Sequence, residues 1–111
     1  MTDCLFCKIG SKNMPAKIVY EDEHLLAFHD IHPKAKIHVL LIPKHHIKSL
    51  NEVSANESLL IANMLLALPK LAKELGLNQG FRTIINTGSG GGQVIDHLHF
   101  HLLGDSALSA L

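Results

Sequence analysis

The segment Asp96-His97-Leu98-His99-Phe100-His101-Leu102-Leu103 decides the fold of this chain. Successive side chains of a β-strand point to opposite faces of its sheet. A strand over this segment therefore presents histidine on one face and apolar residues on the other: His97, His99 and His101 against Leu98, Phe100 and Leu102. The apolar face needs another element to cover it, and the histidine face is left for chemistry. We predict a strand at 96–103 with its apolar face under a helix.

A long helix that can cover this face is predicted to begin at Ser54. Ser54 and Glu57 have the Ser-x-x-Glu spacing of a capping box, in which the two side chains satisfy free N–H groups of a first helical turn. Leucine or methionine then recurs every three or four residues as far as Gly76, which gives the helix an apolar stripe. Pro69 lies inside this span and removes one backbone hydrogen bond, so we expect a kink or local opening there.

The other elements follow from alternation and from turn residues. Further strands are predicted at 17–21, 25–30, 36–43 and 81–86, and a short helix at 4–12. The fold class is therefore α+β, with a five-stranded antiparallel sheet, one long helix and a short N-terminal helix. At 111 residues, the chain has room for a single domain over 1–111.

Composition excludes several classes of protein. Hydrophobic residues make up 47% of the chain and charged residues 18%, which is too apolar for a disordered protein. Ten Lys+Arg balance ten Asp+Glu, so binding to nucleic acid through its charge alone is disfavoured. The sequence shows neither a signal peptide nor an apolar run that could span a membrane, and we therefore expect a cytoplasmic protein. Nine histidines stand beside a single arginine, so any bound phosphate must rely mainly on backbone N–H groups, histidine and lysine.

The histidine face has two functional interpretations. A His-x-His pair can bring two imidazoles to one zinc ion of a metal-dependent hydrolase. In a regular strand, however, the outer two of the three histidines are separated by about 13 Å, too far for one ion. The second interpretation is covalent catalysis, in which a neutral imidazole attacks phosphorus while its neighbours bind the phosphoryl oxygens. A solvent-exposed strand face that happens to be rich in histidine is the third possibility.

The loop before this strand, Gly88-Ser89-Gly90-Gly91-Gly92-Gln93, is compatible with phosphate binding. Glycine lets consecutive N–H groups turn toward an anion and lets the backbone approach a ligand closely. The loop lacks the Gly-Lys-Ser/Thr ending of a P-loop and leads into a strand, so no helix N-terminus assists it. By itself it is also compatible with a flexible surface loop.

Four separated segments together are similar to the histidine triad (HIT) family. They are the glycine loop with His97-x-His99-x-His101, Phe28-His29-Asp30-Ile31 with Pro33, His38-x-x-x-Ile42-Pro43-Lys44-x-His46, and Arg82-x-x-x-Asn86. They recur in this order in the branch called histidine triad nucleotide-binding proteins. The resemblance implies a HIT-like fold, usually in a homodimer whose sheet continues across the dimer. It also implies a purine nucleotide (an AMP or GMP derivative) as the ligand and no organic cofactor.

The same resemblance implies a reaction and a set of site residues. The branch cleaves the P–N bond of adenosine 5′-phosphoramidates through an adenylylated histidine and releases AMP. By position, His99 is the nucleophile, His101 binds the α-phosphate, and His38 lies close to His99 and orients it. The remaining nucleotide-binding residues have three roles. The α-phosphate is held by the backbone of Gly92, Gln93 and Val94 with Asn86 at its edge, the ribose by Asp30, and the base by Phe6, Ile9, Phe28, Ile31 and Leu40.

One departure from the family pattern bears on catalysis. Val94 stands where the family commonly has a serine, so no hydroxyl is available to pass a proton to the leaving amine. Two alternatives to the phosphoramidase are therefore kept. The first is a nucleotide-binding or partner-binding regulatory protein with weak catalysis, and the second is a diadenosine polyphosphate hydrolase.

Cys4 and Cys7 form a Cys-x-x-Cys motif at the N-terminus. A thioredoxin-like redox site needs a βαβ setting that is absent here, and zinc is the better interpretation. Two cysteines supply half of a tetrahedral zinc site. The resemblance to bacterial HIT proteins implies that His46 and His97 complete a structural zinc site. Two free thiols in an apolar turn are the alternative.

Overall fold

A computed structural model describes residues 3–109 of the chain. The strands are β1 (Ile18–Glu21), β2 (Leu25–His29), β3 (Ile37–Pro43), β4 (Arg82–Ile84) and β5 (Phe100–Gly104). The helices are α1 (Leu5–Gly10) and α2 (Ser58–Glu74). Single 3₁₀ turns occupy Leu50–Glu52, Ala55–Glu57 and Ser89–Gly91.

The five strands form one sheet in the order β1-β2-β3-β5-β4. Every neighbouring pair is antiparallel, which confirms the predicted fold class. The two strands that carry most of the predicted chemistry, β3 and β5, are adjacent, and Leu40 pairs with His101 in their register. Continuation of the sheet across a homodimer stays a prediction, because the structure describes one chain.

The predicted strand at 96–103 begins too early. The N–H of Leu98 donates to the carbonyl of Ile47 at 2.7 Å, and the N–H of His97 donates to the carbonyl of Ile95 at 2.9 Å. These residues therefore make turn and loop contacts, and ladder pairing begins only at β5. His97 is consequently free of the strict two-residue alternation that His99 and His101 follow.

Both helices form where the sequence predicts them, with shifted ends. The capping box of Ser54 and Glu57 is present, but it caps a 3₁₀ turn, and α2 follows from Ser58. The α-helix continues through Pro69 to Glu74, so the predicted opening is not seen. Within residues 3–109, no helix combines the length and the apolar character needed to cross a membrane.

Each face of the sheet packs against its own helix. The α2 face carries the main core, which includes Val39, Leu41, Leu98, Phe100 and Leu102 from the sheet segment with Met64, Leu68 and Leu71 from α2. The opposite face carries a smaller cluster, formed by Phe6, Ile9, Leu26, Phe28, Leu40 and Ile42. The predicted alternation is thus confirmed for the apolar residues. His101 of β5, and His99 just before the strand, lie on the α1 side, where the smaller helix covers only part of the sheet.

We predict that Phe100→Ala lowers the free energy of unfolding by about 3–5 kcal/mol, because it leaves a cavity at a fully buried position. Leu59→Ala is the matched control, since Leu59 lies on α2 but is 73% exposed, and its cost should stay within about 0.5 kcal/mol. Urea titration followed by circular dichroism measures both values. Equal costs for the two variants would contradict the assignment of the core.

Candidate functional site

A cavity of about 560 Å³ lies on the α1 side of the sheet, and we call it the main cavity. Its wall combines α1, the segment that follows α1, the ends of β2 and β3, the glycine loop and β5. It contains eleven of the predicted nucleotide-binding residues: Phe6, Ile9, Phe28, Asp30, Ile31, Leu40, Asn86, Gly92, Val94, His99 and His101. His38 lines it as well, so the structure brings all three predicted catalytic histidines together.

His99 has a defined tautomer. Its Nδ1 lies 2.7 Å from the carbonyl oxygen of His97, and because a carbonyl can only accept, Nδ1 carries the proton. The neutral ring therefore has its lone pair on Nε2. Phe6 packs edge-on against the ring, with centroids 5.1 Å apart, and the side chain is buried. The neutral tautomer of His99 therefore presents an unprotonated Nε2, the form that a nucleophile needs.

His101 has the opposite tautomer, which is set by His38. The backbone N–H of Lys34 donates to Nδ1 of His38 at 3.0 Å, so the proton of His38 is on Nε2. That Nε2–H donates to Nδ1 of His101 at 2.9 Å. His101 therefore carries its own proton on Nε2 and can donate a hydrogen bond to a ligand. The direct contact of His38 is with His101, whose ring centroid lies 5.0 Å from that of His99. That His38 orients His99 stays a prediction.

Burial keeps this histidine pair neutral. Burial, together with the neighbouring His99 and His38, lowers the pKa of His101 to about 4. Burial also lowers the pKa of His38, against the attraction of Asp30, whose Oδ2 lies 3.5 Å from Nε2 of His38. Both rings are therefore uncharged at pH 7, and their hydrogen bonds keep the direction described above.

Asp30 and Asn86 are placed at the edges of the main cavity. Oδ1 of Asp30 accepts the N–H of His32 at 2.8 Å, which holds the carboxylate at the end of β2. Nδ2 of Asn86 donates to the carbonyl of Gly91 at 2.8 Å, which ties the segment after β4 to the glycine loop. Both side chains are thus oriented before any ligand binds.

The glycine loop uses more of its own N–H groups than the sequence suggests. The N–H groups of Gly92 and Gln93 donate to the carbonyls of Ser89 and Gly88, at 3.1 and 3.0 Å. The structure therefore commits both amides to the loop itself. Among the described residues no partner is recorded for the N–H of Val94, so this amide is the better candidate for binding an anion.

The side chain of Gln93 explains how the loop keeps its shape. Its Nε2 donates to the carbonyls of Lys48 and Ile95, and its Oε1 accepts the N–H of Gly88, all at 2.8–2.9 Å. Gln93 is not among the described residues that line the main cavity. The side chain of Gln93 thus holds the loop, whereas the predicted ligand contact concerns its backbone.

Several lining residues were not predicted. Leu5, Met14, Pro15 and Ala16 extend the apolar wall beyond the residues predicted for the base. Leu5 lies in α1 and within the Cys-x-x-Cys motif, whereas no motif marks residues 14–16, and only the position of this segment after α1 could have indicated it. Ile31 and Val94 are 83% and 91% exposed and lie at the mouth of the cavity.

The two cysteines form a second centre beside the main cavity. Cys4 is the N-cap of α1, and its Sγ accepts the N–H of Cys7 at 3.4 Å, which places both thiols on one side of the first turn. Nδ1 of His97 lies 3.2 Å from Sγ of Cys4, and Nδ1 of His46 lies 3.3 Å from Sγ of Cys7. All four donor atoms lie within 4.8 Å of one another.

This donor set fits zinc. Nε2 of the fully buried His97 donates to the carbonyl of Pro43 at 2.8 Å, so its lone pair is on Nδ1, the atom beside the sulfurs. Two sulfurs and two imidazole nitrogens are a common structural zinc set. Without a cation, burial and the hydrogen bond to Cys4 raise the pKa of Cys7 to about 11, and a bound dication reverses this preference.

A second group, Asp30, His38 and His101, is close enough to hold a metal. Its inner nitrogens are occupied by the hydrogen bond between the two histidines, so we interpret it as a hydrogen-bond network. The predicted metal site and the predicted reacting histidines are therefore separate sets of residues. They share a border, because His97 belongs to the metal group and its carbonyl binds His99.

Comparison with known proteins gives a consistent result. The family model described as "HIT domain" matches residues 11–108. Protein HitA of Neisseria gonorrhoeae is 49% identical over 104 residues, which cover 94% of this chain and 97% of that protein. The crystal structure of a HIT family hydrolase from Legionella pneumophila superposes with a TM-score of 0.94 at 47% identity, covering 96% of each chain. A histidine triad protein from Clostridium difficile superposes with a TM-score of 0.96 at 42% identity, covering 100% of this chain and 97% of that one.

Cys7→Ser should lower the zinc content of the purified protein from about one ion per chain toward zero, because one of four ligands is lost. A chelator should then lower the melting temperature of the native chain but not that of the variant. His45→Ala is the matched control, since His45 is exposed, adjacent to His46 and outside the cluster. Elemental analysis and thermal unfolding provide the readouts. Unchanged zinc content in Cys7→Ser would contradict the site.

Lowering the pH from about 6.5 to about 4 should destabilise the native chain, and His101→Asn should lessen the loss. The pKa of His101 is lowered in the folded chain, so across this range the unfolded chain binds a proton that the folded chain excludes. Stability is therefore lost as the pH falls. Urea unfolding at several pH values, with chelator present, should give a shallower slope for the variant, by up to about one proton. Identical slopes would contradict the buried neutral state.

Proposed function

The chain belongs to the HIT domain family, and we propose that it hydrolyses the P–N bond of purine nucleoside 5′-phosphoramidates and releases AMP or GMP. The observation that carries the proposal is the pair of opposite tautomers in one cavity. His99 has a lone pair on Nε2, and His101 has a proton there. A nucleophile beside a hydrogen-bond donor is the arrangement that attack on a phosphoryl group requires.

The main cavity has a suitable place for each part of a nucleotide. The buried rings of Phe6 and Phe28 pack edge-to-face, with centroids 5.5 Å apart, and form an apolar slot with Ile9 and Leu40 for the base. Asp30 accepts the ribose hydroxyls, and Asn86 lies at the edge of the α-phosphate. The oxygens of the α-phosphate accept hydrogen bonds from Nε2–H of His101 and from the N–H of Val94. These donors are set in place beforehand, so charge that develops on the oxygens is stabilised with little reorganisation.

The reaction takes place in two displacements at phosphorus. Nε2 of His99 attacks, the new N–P bond forms, and the bond to the amine breaks with its electron pair leaving on nitrogen. One water molecule supplies the remaining proton and oxygen. Its proton goes to the departing amine, and its hydroxide oxygen bonds to phosphorus when the nucleotidyl-histidine is hydrolysed. The second step restores His99 and releases the nucleoside monophosphate.

The cysteine and histidine cluster supports this site from outside. Cys4, Cys7, His46 and His97 would hold a zinc ion, which supplies a structural crosslink when bound. His97 then stays fixed, and so does the carbonyl that sets the tautomer of His99. His97 therefore acts as a positioning residue for the nucleophile.

The exposed Val94 favours a second candidate, a nucleotide-binding protein with weak catalysis. Its side chain is 91% exposed at the mouth of the main cavity and offers no hydroxyl to the departing amine. The backbone N–H at this position still serves binding. Tight binding of AMP together with very slow release of the amine would distinguish this candidate from the phosphoramidase. Cleavage of diadenosine polyphosphates is the remaining alternative, and a turnover assay with such a substrate tests it directly.

His99→Ala should lower kcat/KM for an adenosine 5′-phosphoramidate by about a thousandfold or more, since the nucleophile is lost. AMP binding should be retained, because the apolar slot is unchanged. His24→Ala is the matched control, since His24 is exposed in the hairpin between β1 and β2. Mass spectrometry of native protein quenched during turnover should find a nucleotidyl group on His99. Hydrolysis without this adduct under conditions that preserve N–P bonds would contradict the covalent route.

A further inference from the structure

A second cavity of about 570 Å³ adjoins the main cavity at the reacting histidines, and we call it the tail cavity. Lys34, His38, Asn86 and His101 line both cavities. The apolar residues of the base slot line only the main cavity, whereas Arg82, Ile84, Leu103 and residues 107–109 line only the tail cavity. A phosphoryl group held by His101 therefore has the base slot on one side and the tail cavity on the other.

The C-terminal tail forms one wall of the tail cavity and is held at two points. The N–H of Lys36 donates to Oγ of Ser106 at 2.7 Å, and a guanidinium N–H of Arg82 donates to the carbonyl of Ser109. Between these two points, Ala107 and Leu108 line the cavity. The wall is thus built from residues that the HIT signature does not include.

The charge of the tail cavity is one-sided. Lys34 and Arg82 line it, Arg82 is the single arginine of the chain, and no aspartate or glutamate is found among its described lining residues. Two carboxylates lie nearby. Asp105 pairs with Lys36 at 3.6 Å, and Asp30 faces the main cavity beside His38. With His38 and His101 neutral, the described lining of the tail cavity carries a positive charge in a chain whose formal net charge is zero.

We propose that the tail cavity receives the amine leaving group and selects amines that carry a carboxylate. This inference rests on the proposed function. A guanidinium has five N–H donors in a planar fork, so one bond to the Ser109 carbonyl leaves Arg82 able to bind a carboxylate. Lys34 supplies a second positive charge on a flexible stem. The contact is remote from the P–N bond and therefore acts mainly on KM.

The test compares two adenosine 5′-phosphoramidates that differ only in charge, one formed from β-alanine and the other from β-alaninamide. The measured quantity is the ratio of their kcat/KM values, carboxylate over amide. In the Arg82→Gln, Lys34→Gln double variant, this ratio should fall about five- to tenfold, and the change should appear in KM for the carboxylate substrate. Comparing variants cancels the intrinsic difference between the two amines.

Lys73→Gln is the matched control, since it removes the same type of charge from the last turn of α2, on the other face of the sheet. Its ratio should equal that of the native chain. Hydrolysis of both substrates with the same ratio in the native chain and the double variant would overturn this inference alone. Hydrolysis of neither substrate by the native chain would overturn the proposed function, and the inference with it.

Discussion

The rest of the molecule depends on the contacts that one buried residue, His97, makes through its imidazole and its carbonyl. Its Nε2–H donates to the end of β3 at Pro43, its Nδ1 faces the two cysteines at the start of α1, and its carbonyl binds His99. One residue therefore joins the sheet, the small helix and His99. Losing any of these contacts leaves a buried polar group without a partner, which costs about 1–3 kcal/mol. The geometry of His99 is consequently coupled to the docking of α1.

The fold could be predicted because its decisive information is local. The alternation in β5 and the stripe on α2 both depend on a fixed repeat, and the structure follows both. The start of β5 could not be predicted, because it depends on a hydrogen bond between Leu98 and the distant Ile47. Local pattern gives the type of an element, while its end depends on partners far away in the sequence.

The candidate site shows the same division. Which residues line the main cavity followed largely from motifs, whereas their partners did not. His38 contacts His101 because β3 and β5 are neighbours in a particular register, and sequence spacing does not report that register. The backbone of Gln93 was expected at the ligand, but its N–H donates to Gly88 within the loop, and its side chain holds the loop by bonding to Lys48 and Ile95. A motif therefore identifies chemistry more reliably than it identifies the atom that performs it.

Lys34 contributes to the site in two independent ways. Its main-chain N–H sets the direction of the hydrogen bonds through His38 to His101, and its side chain lines both cavities. Every amino acid except proline has that N–H, so the direction does not depend on which side chain occupies position 34. The charge at position 34 can therefore change without altering the direction of the hydrogen bond between His38 and His101. Under the proposed function, reactivity and selectivity can diverge separately at this single residue.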